Sequence, residues 1–399
     1  MDNKNISNQR YDHCCGCKAC GDVCPQNAIT YQTDAEGFFY PEVSNACVEC
    51  GLCRRACPEL NVLGPSGDVK QKYYACLDKN ITRRNTGSSG GIFGLLASHL
   101  LREGYEVCGA AFDNRLRLSH QFAINETELE RLKKSKYLQS DCKGIYVQVV
   151  EKLKQQKKVL FVGTPCQCNA LRNVASRYRE HLITIDFACH GVPSQELFDK
   201  CIAYYEKHHD SKVLSYTFRH KPKRYSSPQN YLLSVEKDGK IHEKAGRYYE
   251  EPFYCGFQKY LTLRPSCYSC HWANTDRVAD ATLADFWGIE ECTDRWDRTD
   301  HPSLVIVNSA KGQTLFDSIN QDTEKMEVSR EEAVKGNGSL IKPTKLKAAR
   351  AQLFADYQSM DFDSFVEKHL TLHGRWKKDV YYTIPFGVRK VILEILNKI

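Results

Sequence analysis

The chain has 399 residues, 42% hydrophobic and 26% charged. This is an ordinary globular composition, and it excludes disordered, collagenous and coiled-coil classes. Lysine and arginine number 56 against 49 aspartates and glutamates, a net charge of +7. That suffices for docking on an acidic partner but falls short of a nucleic-acid footprint.

At about 150 residues per domain, two or three domains are expected. The unusual count is cysteine, at 20. Disulfide scaffolds are short and cysteine-dense throughout, whereas these cysteines cluster in a long chain, so metal or redox chemistry is expected. The opening MDNKNISNQRYDH carries no apolar signal-peptide core. No apolar run reaches the roughly 18–20 residues of a membrane span. The expected setting is the reducing cytoplasm.

Residues 1–60 hold nine cysteines and an internal repeat. Cys14, Cys17, Cys20 and Cys24 are spaced C-x2-C-x2-C-x3-C-P, and Cys47, Cys50, Cys53 and Cys57 repeat that spacing. This is the bacterial run for two 4Fe-4S clusters, in which the fourth cysteine of each run serves the other cluster. One cluster is thus assigned Cys14, Cys17, Cys20 and Cys57, and the other Cys47, Cys50, Cys53 and Cys24. Zinc ribbons, with two C-x2-C pairs and a longer gap, fit less well. Cys15 falls outside the register and reads as a spare thiol.

Residues 61–71, rich in Gly, Pro, Ser and charge, read as a linker. Residues 72–320 alternate strand and helix patterns, which points to an α/β core. KYYACL (72–77), YEVCGAAF (105–112), KVLFVG (158–163), LITIDFA (182–188) and SLVIVNS (303–309) are strand-like. IFGLLASHLLREG reads as an apolar helix stopped at Gly104, QCNALRNVA as a second helix, and YLLSVEKDGKIHEK as a hairpin turning at Asp238-Gly239. Residues 321–399 are mostly helical in pattern and contain no cysteine. The fold expected is an α+β ferredoxin-like domain, an α/β core and a helical C-terminal region.

Cys166 and Cys189 each follow a strand, and Cys267 and Cys270 form a C-x2-C pair. These four could converge on an iron–sulfur site or a zinc site, or simply pack as buried thiols. Cys168 reads as a stray thiol or an alternative ligand. Cys76 and Cys108 read as core residues, and Cys142, Cys201, Cys255 and Cys292 stand isolated.

The stretches SSGGIFGLLASHLL, SKYLQS, LFVGTPCQCNALR, DFACHG, RPSCYSCHWANTDRVADATLADFWG and HPSLVIVNSAKGQ, in that order, resemble the coenzyme F420 hydrogenase/dehydrogenase beta-subunit family over residues 72–320. The resemblance implies FAD and a third 4Fe-4S cluster in the core. It makes Cys166, Cys189, Cys267 and Cys270 the ligands of that cluster. It lays the flavin against Ser88, Ser89, Gly90, Gly91, Ser135, Lys136 and Tyr137. Glycines before a helix N-terminus let backbone approach a pyrophosphate, although a serine there is equally an ordinary N-cap. Arg219, Lys221 and Asp285-Phe286-Trp287-Gly288 are candidates for lining the active site, or for surface charge and core packing. The catalytic residues and the organic substrate, or deazaflavin-like carrier, do not transfer with the resemblance.

The tail VRKVILEILNKI places Val388, Val391, Ile392, Ile395, Leu396 and Ile399 at helical spacing among basic residues, with Trp376, Lys377 and Lys378 before it. Such a helix packs on its own domain or docks on a partner or membrane surface. The function expected is an iron–sulfur flavoprotein oxidoreductase moving electrons between ferredoxin-type clusters and FAD. Its partner would be a redox protein or a small electron carrier. The alternative is an electron-transfer subunit whose substrate chemistry lies on a partner enzyme.

Overall fold

In the computed structural model, the described residues are 4–7, 12–65, 69–221, 229–296, 299–374 and 388. The sequence repeat is also a backbone repeat. Gly16 (φ 67°) and Lys18 (φ 68°) flank Cys17 in left-handed conformation, and Glu49 (φ 52°) and Gly51 (φ 76°) flank Cys50 in the same way. Each loop feeds a one-turn helix, α1 (Ala19–Asp22) and α2 (Leu52–Ala56). Between them an antiparallel hairpin joins β1 (Ile29–Thr33) to β2 (Phe39–Val43). The Asp34 carboxylate holds its turn by accepting the N–H groups of Glu36 and Phe38.

The chain then runs β3 (Lys72–Asp78), α3 (Ile81–Thr86), α4 (Ile92–Arg102), β4 (Tyr105–Phe112), β5 (Leu118–Ala123), α5 (Glu126–Leu132), α6 (Ile145–Lys154), β6 (Lys158–Val162), α7 (Pro165–Val174) and β7 (Leu182–Phe187). Helix α8 (Gln195–His209) leads to β8 (Lys212–His220), β9 (Asn230–Lys237), β10 (Lys240–Arg247) and α9 (Pro252–Gln258). Strands β11 (Ala281–Asp285) and β12 (Ser303–Val307), helix α10 (Ala310–Ser318) and β13 (Thr323–Val328) follow.

Eight strands form one mixed sheet in the order β13-β3-β12-β11-β7-β6-β4-β5. Its centre is parallel, with β4 on β6, β6 on β7 and β7 on β11. The mostly apolar runs at 158–162 and 182–187 suit strands covered on both faces. Leu95, Leu96 and Leu100 of α4 pack with Leu315 and Phe316 of α10 in one core. Tyr146 and Val149 of α6 pack with Leu171 of α7 in another. Cys17, Ala19 and Ala56 join that second core. The N-terminal cysteine segment is therefore a hairpin and two short helices that share a core with the sheet.

The region expected to be helical from 321 opens instead with a strand. β13 pairs antiparallel with β3, Thr323 opposite Asp78 and Val328 opposite Tyr73. TEKMEV is rich in helix formers, which hid the strand. At a sheet edge its charges reach solvent and also blunt pairing with another chain.

The chain divides into two compact units, Met1–Leu197 with Thr262–Lys347, and Phe198–Leu261 with Ala348–Ile399. The second carries the antiparallel sheet β10-β9-β8. The expected hairpin is there, turning through Asp238 (φ 51°) and Gly239 (φ 71°). Its core is aromatic, with Phe198 edge-on to Tyr216 and Phe253 at 5.3 and 4.9 Å. Trp376, Lys377, Lys378 and the amphipathic tail from Val391 lie outside the described residues. Among the described residues no helix is long and apolar enough to cross a membrane.

Candidate metal centre

The two N-terminal loops bring their cysteines together in the crossed arrangement. Cys20 lies in the field of Cys14 and Cys57, and Cys57 in that of Cys14. Cys17 faces Cys57 and Cys20. Cys24, Cys47, Cys50 and Cys53 line one cavity with Asn5 and Ile29. Burial pushes the Cys20 thiol up to about 12 and the Cys57 thiol up to about 11, and the neighbouring thiols add to both. Backbone donors already point at sulfur. Ala28 N–H reaches Cys24 Sγ at 3.3 Å and Glu49 N–H reaches Cys47 Sγ at 3.4 Å.

The core set gathers at the carboxyl ends of two adjacent parallel strands, where open α/β sheets place their sites. Beyond β6, Thr164 caps α7 with Pro165 at its first position, and Cys166 follows. Beyond β7 comes Cys189, whose Sγ accepts the Gly191 N–H at 3.4 Å. A 3-10 turn, Pro265–Ser269, delivers Cys267 and then Cys270. Cys189 lies in the field of Cys267, Cys166 and Cys270. Burial pushes the Cys267 and Cys270 thiols up to about 12. Gly191 (φ +112°) allows the close approach: a Cβ there would stand 2.9 Å from that of Cys267.

Several residues here have roles that the cysteine spacing does not show. The Arg277 guanidinium is fully buried. It pairs with Asp186 at 3.2 Å and donates to the carbonyls of Phe187 (2.8 Å) and Trp272 (2.5 Å). It thereby ties the strand end before Cys189 to the loop after Cys270. Asn169, on α7, accepts from Trp272 Nε1 at 3.2 Å and from Leu63 N–H at 2.8 Å. Residues at the start of the expected linker are thus pinned to the core. Cys15 lies beside both Cys17 and Cys166, so it stands between two cysteine sets. Burial raises the Glu59 carboxyl to about 7, opposed by Arg264, and Glu59 lies 3.2 Å from His271. Cys168 is buried, 3.6 Å from the Ile185 carbonyl, and lies against the sheet.

The residues expected at a flavin are partly assembled. Ser88 Oγ lies 3.1 Å from Ser135 Oγ and accepts the Ser135 N–H at 3.0 Å. Ser89 donates to Asp285, which joins the SSGG and DFWG stretches. Phe286 is core, buried with Ile289 and Trp296. Gly90 is required by packing, because a Cβ there would strike the Cys76 carbonyl. Gly91 (φ 80°) precedes α4 with no side-chain cap, leaving first-turn N–H groups for a ligand. Lys136 donates to the carbonyls of Arg131, Leu132 and Lys133 at 2.7–3.0 Å and so closes the end of α5. Arg219 is buried in the second unit, at a bulge of β8.

Each of the three sets offers four sulfur donors with no histidine or carboxylate among them. Among the described residues, no three such side chains close on a single metal ion. The donor chemistry fits 4Fe-4S clusters, whose iron core offsets thiolate charge that burial disfavours. The uncapped N-terminus of α4 fits the phosphates of a dinucleotide.

Comparison with known proteins gives two family matches. Residues 156–333 match the C-terminal part of the coenzyme F420 hydrogenase/dehydrogenase beta subunit, and residues 13–63 match the 4Fe-4S dicluster domain. The chain is similar to those two families over those two segments. An uncharacterized protein of Methanocaldococcus jannaschii is 26% identical over 208 residues, 43% of this chain. The chain spans 56% of the length of that relative. An uncharacterized ferredoxin of the same organism is 33% identical over 52 residues, 13% of this chain and 68% of the ferredoxin. A chain of the F420-reducing NiFe hydrogenase complex from Methanosarcina barkeri aligns with TM-score 0.44 and 14% identity, over 73% of this chain and 90% of that one.

Proposed function

We propose that the protein is a flavin-dependent iron–sulfur oxidoreductase with three 4Fe-4S clusters and one FAD. The observation that carries this reading is the convergence of twelve cysteines in three all-sulfur sets, with Cys15 beside members of two of them. When bound, the clusters supply single-electron transfer, and the flavin couples it to two-electron chemistry on an organic partner. The chain's own residues hold and shield. Cys14, Cys17, Cys20 and Cys57 hold the inner ferredoxin cluster, and Cys24, Cys47, Cys50 and Cys53 the outer one. Cys166, Cys189, Cys267 and Cys270 hold the core cluster. The α4 N-terminus, with Ser88, Ser89, Gly90, Gly91, Ser135 and Tyr137 around it, receives the flavin. Lys136 supports that wall by closing α5. Clustered, metal-ligating cysteine usage in a long chain suits the reducing cytoplasm.

Anaerobic purification with iron, sulfide and flavin counted per chain tests the reading. About twelve irons and one FAD are expected. About eight irons would remove the core cluster, and a flavin-free chain under adequate supply would remove the flavin. The net charge of +7 favours a second reading, an electron-transfer subunit docked on an acidic enzyme. Turnover of a small molecule by the purified chain alone separates the two.

A further inference from the structure

We infer that Arg264 is a buried positioning residue that sets the potentials of the inner ferredoxin cluster and the core cluster together. The inference rests on the cluster assignment above.

Arg264 is 0% exposed. Its Nε donates to the Cys14 carbonyl at 2.6 Å, Nη1 to Gln139 Oε1 at 3.0 Å and Nη2 to the Phe39 carbonyl at 2.7 Å. The Tyr40 ring lies 4.4 Å from the guanidinium carbon, and the Phe38 ring 5.3 Å. Every one of these direct partners is neutral. An uncompensated buried ion costs several kcal/mol. The ionisable groups around it are Cys14, Tyr40, Cys15 and Cys267, with the Glu59 carboxyl beyond, and cluster binding would make Cys14 and Cys267 thiolates. Cys14 belongs to the inner set and Cys267 to the core set, so one cation serves two sites.

The surrounding chain is shaped to keep it there. Gln139 accepts from Arg264 and turns its amide to the carbonyls of Cys15 (3.0 Å) and Gly16 (3.1 Å). Together the two side chains satisfy three consecutive carbonyls of the first cysteine loop. Gly16 must be glycine, because a Cβ would strike Gln139 and stand 2.6 Å from Arg264 Nη1. On the other side the Arg264 carbonyl accepts the Cys267 N–H at 2.9 Å. Cluster potentials respond to local charge and hydrogen bonding. A fixed cation favours the more negative, reduced state of both neighbours. No equivalent contact joins Arg264 to Cys24, Cys47, Cys50 or Cys53 among the described residues.

The test is an EPR-monitored redox titration of the anaerobic protein, with iron counted in each sample. Arg264→Gln should make reduction of two clusters at least tenfold less favourable, a fall of 59 mV for one electron, and leave the third unchanged. Arg264→Lys should stay near wild type. Gln139→Glu keeps the guanidinium but sets a carboxylate against it, and should lower the same two potentials. It carries the test alone should Arg264→Gln fail to fold. Unchanged potentials at full iron in the glutamine or glutamate variant would overturn the inference. An equal fall in all three clusters, or an equal fall in the lysine variant, would overturn it too. A wild-type chain holding fewer than three clusters would instead overturn the assignment on which it rests.

Discussion

Cys267 shows what one ligand is worth in this arrangement. It sits in a 3-10 turn, in the field of Cys270 and Cys166, and does not line the cavity of Cys24, Cys47, Cys50 and Cys53. Cys267→Ser should therefore cost about four irons and leave about eight, counted by iron analysis. Loss of all iron would contradict the separateness of the sets. The thiols also fix the sign of a pH effect. Thiols pushed up to about 11 and 12 stay protonated in the metal-free fold at neutral pH. Loading needs thiolates, so it releases protons and weakens as pH falls. Reconstitution yield should climb between about pH 6.5 and 8.5, and a flat profile would refute it.

Among the elements, β6 and β7 matter most, because their adjacent carboxyl ends present Cys166 and Cys189 to one point. The Arg277–Asp186 pair holds the third segment there and is fully buried. Arg277→Met leaves Asp186 without its cation and should destabilise the fold by about 3–5 kcal/mol. Denaturant unfolding measures this, and core iron should be lost before N-terminal iron. Much of this level was legible in the sequence. The strands at 72–78, 105–112, 158–162, 182–187 and 303–307 announce themselves as apolar runs, and the two cysteine loops by spacing. β13 was not legible, since an edge strand made of Glu, Lys and Met has helical composition. Arg264, Gln139 and Arg277 stand inside the quoted stretches, but their roles were hidden for a different reason. A lone buried cation is defined by what surrounds it in space, and no local spacing encodes that.

For the whole molecule, the N-terminal segment and the sheet share one core and lie in one compact unit, while residues 198–261 of the longer match belong to the other. The second unit is assembled from 198–261 and the stretch after 348, which no sequence pattern joined. The excess of 56 basic over 49 acidic residues argues for a partner of opposite sign. Electron exchange with an acidic redox protein should slow as ionic strength rises from about 0.01 to 0.15 M, where the screening length shrinks from about 30 to 8 Å. Stopped-flow mixing measures this, and a salt-independent rate would assign docking to apolar contact.

Of the twelve cysteines gathered in three sets, Cys50 alone is exposed. Air therefore meets the protein at one corner first. Oxidative decay should begin there and strip the outermost cube, while the sulfur sets sheltered by Ile145, Tyr146 and Phe161 keep their colour longest.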